Sequence, residues 1–158
     1  MNDFFRYLVA GVSLGSVYAL VSVGFVTIYK ATGVANFAQG GFVMLGAYVA
    51  ATLRMTLGLP FPVAIMGAMV AMALLGAVVE RLVLRPLVGK PVFSVTMVSL
   101  GLLILLEQFG GAFWGYDPVV LGDPWGIDTL ALGAIAVKVA DLWTIGAAGS
   151  VLVALWAV

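Results

Sequence analysis

Charged side chains are missing from long stretches of this chain, and no other feature of the sequence constrains it as strongly. Residues 7–29 lie uncharged between Arg6 and Lys30, residues 31–53 between Lys30 and Arg54, and residues 55–79 between Arg54 and Glu80. Residues 91–106 form a fourth run, which reaches Glu107 and Gln108 and continues to Trp114; residues 142–158 form a fifth. About 20 apolar residues in a helix cross a hydrocarbon layer ~30 Å thick. Lipid offers open backbone groups no hydrogen-bond partner, so each run has to be helical. The pattern predicts an all-α, polytopic transmembrane helical bundle in a single domain. Its spans cover about residues 7–29, 36–57, 60–80, 92–114 and 142–158.

Composition closes off the other classes. Of the 158 residues 64% are hydrophobic and 9% charged, against about 25% charged in a soluble domain. So few polar groups cannot cover a water-facing surface, and the chain is too apolar to be disordered. Seven basic and seven acidic residues cancel, which leaves no basic excess for nucleic acid. With no histidine and no cysteine, a Ser-His triad, an imidazole or thiolate metal site and a disulfide are all absent. No catalytic residue, metal or cofactor is expected. The first run is longer than the apolar core of a signal peptide, and Asp3 offsets Arg6 ahead of it, so it reads as a retained span.

The loops set a predicted orientation. Arg81, Arg85 and Lys90 make the densest basic cluster, whereas residues 117–141 hold Asp117, Asp123, Asp128 and Asp141 against Lys138. The positive-inside rule puts the first loop in the cytoplasm and the second outside. Lys30 agrees with this and Arg54 does not. The fifth span ends with the chain and has no basic anchor after it, so the sequence reads as the front part of a longer one.

Several polar groups fall within or beside the spans. Gly11, Gly15, Tyr18 and Ser22 share one helical face, and the Gly11/Gly15 pair allows a second helix to come close. That face serves either a transport path or helix packing. Residues 31–41 contain three glycines with Asn36 and Gln39. Each glycine costs a helix roughly 1 kcal/mol relative to alanine. The stretch is therefore either a broken helix lining a pathway or an interfacial loop ahead of a shorter helix from Gly41 to Leu57. Asn36 and Gln39 share a face if it is helical. Glu107 and Gln108 close the fourth span near an interface, as a pathway acid or a snorkelling one.

Outside the spans, Ile135, Val137 and Val139 alternate with smaller or polar residues. With Gly133 as a turn, they predict a small β-hairpin over residues 127–140. Arg81 and Arg85 in the inner loop offer contacts to a cytoplasmic partner, or act only as an anchor. Gly89-Lys90 lacks the rest of a phosphate-binding loop.

Three stretches resemble the LivH-type permeases, the inner-membrane subunits of bacterial branched-chain amino-acid ABC importers. They are Gly-Val-Ser-Leu-Gly-Ser-Val-Tyr-Ala-Leu (11–20), Asn-Phe-Ala-Gln-Gly-Gly-Phe-Val-Met-Leu-Gly-Ala-Tyr (36–48) and Glu-Arg-Leu-Val-Leu-Arg-Pro-Leu (80–87). The family pattern in the second is Asn-Phe-Ala-His/Gln-Gly-Glu; Gly41 stands here where glutamate is usual. The resemblance implies a multi-pass protein of the bacterial inner membrane that is a transporter subunit and not an enzyme. It implies a second permease subunit, two cytoplasmic ATP-binding subunits and a periplasmic substrate-binding protein. The implied substrate is leucine, isoleucine or valine, with urea or short amides as the alternative. Tyr18, Asn36, Gln39, Glu107 and Gln108 are the candidates for the translocation path. Gly11, Gly15 and Ser22 are the candidates for packing, and Arg81 and Arg85 for the cytoplasmic contacts. A truncated non-transporting membrane protein, an ATP-independent channel and a secondary transporter remain the readings from other classes.

Overall fold

The computed structural model describes residues 2–33, 35–117, 129–132 and 135–156. Five helices follow the five apolar runs: α1 (Asn2–Thr32), α2 (Gln39–Met55), α3 (Phe61–Val79), α4 (Val92–Trp114) and α5 (Val139–Trp156). Two short strands, β1 (Thr129–Leu132) and β2 (Ile135–Lys138), precede α5. Tyr7–Ala31, Phe61–Leu87 and Val92–Trp114 are long and apolar enough to cross a membrane. The 17 residues of α2 and the 18 of α5 fall at the short end of the spanning range. This is a membrane protein.

Local chemistry sets the helix ends. The α1 helix stops where Gly33 takes φ +66° and its N–H donates to the Tyr29 carbonyl at 2.8 Å, a left-handed cap that glycine adopts without penalty. Pro60 and Pro91 stand just before α3 and α4, where proline's missing N–H costs nothing. Gly115, at φ +79°, closes α4 and donates to the Gly111 carbonyl.

Two sequence expectations need correction here. The span drawn over residues 36–57 is helical only from Gln39 to Met55; Asn36 lies in a turn, off the helix, so it shares no helical face with Gln39. The inner loop is not a loop at its start: α3 continues as a π-helical turn, Glu80–Leu84, and a 3-10 turn, Arg85–Leu87. No proline occurs between Pro62 and Pro86, which sits inside the 3-10 turn, and the chain becomes extended only at Val88.

The chain folds as two bodies, Met1–Val26 with Gly122–Val158, and Thr27–Leu121. In the first, β1 and β2 pair antiparallel from Thr129↔Lys138 to Leu132↔Ile135. This is the hairpin expected from the alternation; residues 127, 128, 133 and 134 of the expected range lie outside the described residues. The α5 helix begins directly after β2, three residues before the expected span.

In the second body α2 packs against both α3 and α4. Ala38, Leu45, Val79, Leu84, Leu102 and Leu106 form its core. Small residues set the spacing. A β-carbon on Gly41 would lie 3.0 Å from Leu106 Cβ, and one on Gly110 would lie 2.8 Å from Met44 Cε. Without a strong hydrophobic drive between helices in lipid, close approach at glycine is what holds them together. At the far end of α2 a polar clasp joins α4. The Trp114 Nε1–H donates to Thr52 Oγ1 at 2.6 Å, the Thr52 hydroxyl donates to the Tyr48 carbonyl at 2.9 Å, and the Tyr48 and Trp114 rings stack at 5.4 Å. Trp114→Phe keeps most of the ring contact and loses the donor. It is expected to lower resistance to SDS unfolding by about 1 kcal/mol. Thr52→Val should cost about the same, and the double variant less than the sum. Strictly additive losses would show that the two groups do not meet.

Candidate functional site

A groove of about 830 Å³ runs along the second body between α2 and α3. Its direction follows from the helix pairing. Gly67 on α3 faces Leu53 near the end of α2, and Met72 faces Gly46 in its middle. The helices are therefore antiparallel, and the start of α2 lies level with the end of α3. The groove accordingly has two unlike halves. Asn36, Gln39 and Glu80 line one end beside Thr27 and Ala31 from the tail of α1; Ala47, Ala50, Ile65 and Met69 line the other.

The polar end is built by the break between α1 and α2. Asn36 is buried, 4% exposed. Its Oδ1 accepts from the Ala38 N–H at 3.1 Å, and its carbonyl accepts from the Gln39 N–H at 3.4 Å. This is a side-chain-closed turn of the kind asparagine favours. Ala38 is fully buried, so no water competes for its N–H. With one Oδ1 lone pair used by the turn, Asn36 also carries Nδ2, a two-proton donor. The backbone at residues 35–38 thus precedes a shorter helix that begins at Gln39, and Asn36 and Gln39 both line the groove.

Glu80 completes this end. Among the described residues it is the only ionisable side chain along the groove. The sequence reading left it at the margin of the inner loop, because nothing local ties residue 80 to residue 36. The π-helical turn is closed by the Arg85 N–H donating to the Glu80 carbonyl. It buries Leu84 in the core while Glu80 stays exposed at the groove. Such turns recur at functional positions.

The other candidates lie elsewhere. Tyr18 is 65% exposed on α1 in the first body. A β-carbon on Gly11 or Gly15 would meet nothing within 4 Å among the described residues, and the Ser22 hydroxyl donates back to the Tyr18 carbonyl at 2.8 Å. Glu107 and Gln108 are exposed on α4 and do not line the groove; the Tyr116 hydroxyl donates to Gln108 Oε1 at 2.9 Å. Arg81 and Arg85 are exposed on the turns after α3. Gly41, the position where the family pattern has glutamate, faces Leu106 too closely to hold a carboxylate side chain in this packing.

Apolar helices packed around a long apolar groove with one polar end define a helical membrane protein. The family model described as "Branched-chain amino acid transport system / permease component" matches residues 7–158, and the chain belongs to that family. It is similar to the high-affinity branched-chain amino acid transport system permease protein LivH of Salmonella typhimurium, 31% identical over 126 residues that cover 75% of this chain and 41% of the relative. LivH of Escherichia coli matches with the same identity and coverage. BraD of Pseudomonas aeruginosa is 32% identical over 119 residues, 68% of this chain and 39% of the relative. The chain thus spans about two fifths of the length of these curated relatives. No solved structure matches it significantly.

Proposed function

We propose that this chain forms part of the permease subunit of an ATP-driven importer of leucine, isoleucine and valine, in the inner membrane of a bacterium. The observation that carries this reading is the groove between α2 and α3, apolar along most of its length and polar at one end, within a chain of this family. An aliphatic amino acid asks for that combination, and urea does not. The chain itself makes and breaks no bonds. ATP is hydrolysed by two separate cytoplasmic subunits, a second permease subunit faces this one, and a periplasmic protein delivers the substrate. Arg81 and Arg85 contribute to the cytoplasmic face toward the ATPases. Tyr18, Asn36, Gln39, Glu107 and Gln108 line the route or support it, and Gly11, Gly15 and Ser22 form a face for a neighbouring helix.

The test is uptake into proteoliposomes by the assembled importer. Leucine uptake that requires both ATP and the binding protein is expected. Uptake without ATP would make the protein a channel or secondary transporter, and urea uptake without leucine uptake would make it an amide permease. Alanine at Asn36 or Gln39 is expected to lower the leucine rate about tenfold, the loss of one charge-assisted hydrogen bond. Unchanged rates and preference in Tyr18→Ala, Asn36→Ala, Gln39→Ala and Glu107→Ala alike would refute the site assignment.

A further inference from the structure

Of the side chains at the polar end of the groove, Asn36, Gln39 and Glu80, two differ in character. Glu80 supplies acceptor oxygens with negative charge. Asn36, whose Oδ1 is held by the Ala38 N–H at 3.1 Å, supplies a donor through Nδ2. Both line the same groove, and the antiparallel pairing of α2 with α3 brings them to the same end. Past them the walls are aliphatic and thioether, from Ala47, Met69 and Met72. Among the described residues that line the groove there is no lysine or arginine.

We infer that Glu80 and Asn36 are the head-group end of a site for an α-amino acid zwitterion, the Glu80 carboxylate receiving the α-ammonium and the Asn36 Nδ2–H group donating to the α-carboxylate. The substrate's side chain lies along the apolar half. The inference rests on the permease reading above and adds to it the residues that recognise each charge. An ammonium against a carboxylate and a carboxylate against an amide N–H are charge-assisted pairs, shorter and about twice as strong as neutral ones. A ligand with the same aliphatic tail but no ammonium leaves Glu80 unpaired there, which is the basis of rejection. The π-helical turn makes this arrangement possible, because Leu84 anchors it in the core while Glu80 remains at the groove.

The assembled importer in nanodiscs, without the binding protein, tests the site itself. Labelled leucine bound to the complex is competed with 2-hydroxy-4-methylpentanoate, which has a hydroxyl in place of the ammonium, and with leucinamide, which has an amide in place of the carboxylate. The wild-type complex is expected to prefer leucine over the hydroxy acid. Glu80→Gln should narrow that preference by about tenfold, the worth of one charge-assisted pair, and Glu80→Asp should restore part of it. Asn36→Asp keeps an oxygen for the Ala38 N–H and removes the donor. It should shift preference from leucine toward leucinamide by a similar factor. A residue that only held the helices would lower all three ligands together and leave their ratios alone. Unchanged ratios in Glu80→Gln and Asn36→Asp would overturn the inference while ATP-driven leucine uptake by the same wild-type complex left the permease reading standing. A wild-type complex that takes up no amino acid would remove both.

Discussion

Gly41→Leu is expected to unfold the second body at a distinctly lower SDS fraction than the wild type, with a loss of about 3 kcal/mol or more, the upper end of the range for overpacked interiors. The reason is geometric. A β-carbon at Gly41 already stands 3.0 Å from Leu106 Cβ and 3.1 Å from Leu106 Cδ1. Leu106 is 4% exposed in the core, and its Cβ is fixed by the α4 backbone. No rotamer change relieves the contact, so α2 and α4 must move apart. The polar clasp of Trp114, Thr52 and Tyr48 would loosen with them. Gly41→Ala should lose only about 1 kcal/mol, since the approach is tight but short of overlap. Leu106→Ala placed beside Gly41→Leu should recover much of the loss, because it empties the space the new side chain needs. Unfolding of Gly41→Leu at the wild-type SDS fraction would mean that the two helices do not approach this closely. Gly110→Ala makes a useful contrast: its nearest neighbour is Met44 Cε, the mobile end of a flexible side chain, so the cost should be smaller.

Asn36→Leu is expected to abolish most leucine uptake by the assembled importer and to weaken the start of α2 by about 3 kcal/mol, the scale set by a buried backbone N–H left without a partner. Asn36 Oδ1 accepts from the N–H of Ala38, which has no exposed surface. Lipid-level surroundings offer that N–H no replacement. Leucine at 36 would also remove the donor from the polar end of the groove. Asn36→Asp separates the two effects: it keeps the turn and so keeps expression and SDS resistance near wild type, while its ligand preference changes. Equal SDS resistance in Asn36→Leu and wild type would show that the turn does not depend on this side chain.

The positions of the helices were legible in the residues. The uncharged runs, bounded by Lys30 after the first and opening at residue 91 for the fourth, mark the end of α1 and the start of α4 to within a few residues. The hairpin was legible too, because its two-residue alternation has no helical counterpart. The break at residues 31–41 could be seen, but not its form. Glycine content says only that a helix is disfavoured, and the closure by Asn36 Oδ1 depends on a turn geometry that spacing does not specify. The helical start of the inner loop was missed because charge was read as a loop signal, although nothing before Pro86 stops a helix from winding on.

The candidate site was legible in part. Asn36 and Gln39 line the groove, as their polarity within an apolar run suggested. Glu107 drew attention for the same reason and lies on an exposed face of α4 instead. Glu80 carries no local signal, because Asn36 and Gln39, which line the groove with it, are more than 40 residues away along the chain. By itself, then, the sequence determined which segments form apolar helices, because the cost of an open backbone or an unpaired charge in hydrocarbon is a local property of each residue. Only the tertiary structure decided which sides of those helices meet. An apolar side chain is equally at home against lipid and against another helix, so helices apolar all round carry little periodic signal. The close seat of Gly41 on Leu106, and the placement of Glu80 and Asn36 along one groove, come from packing alone.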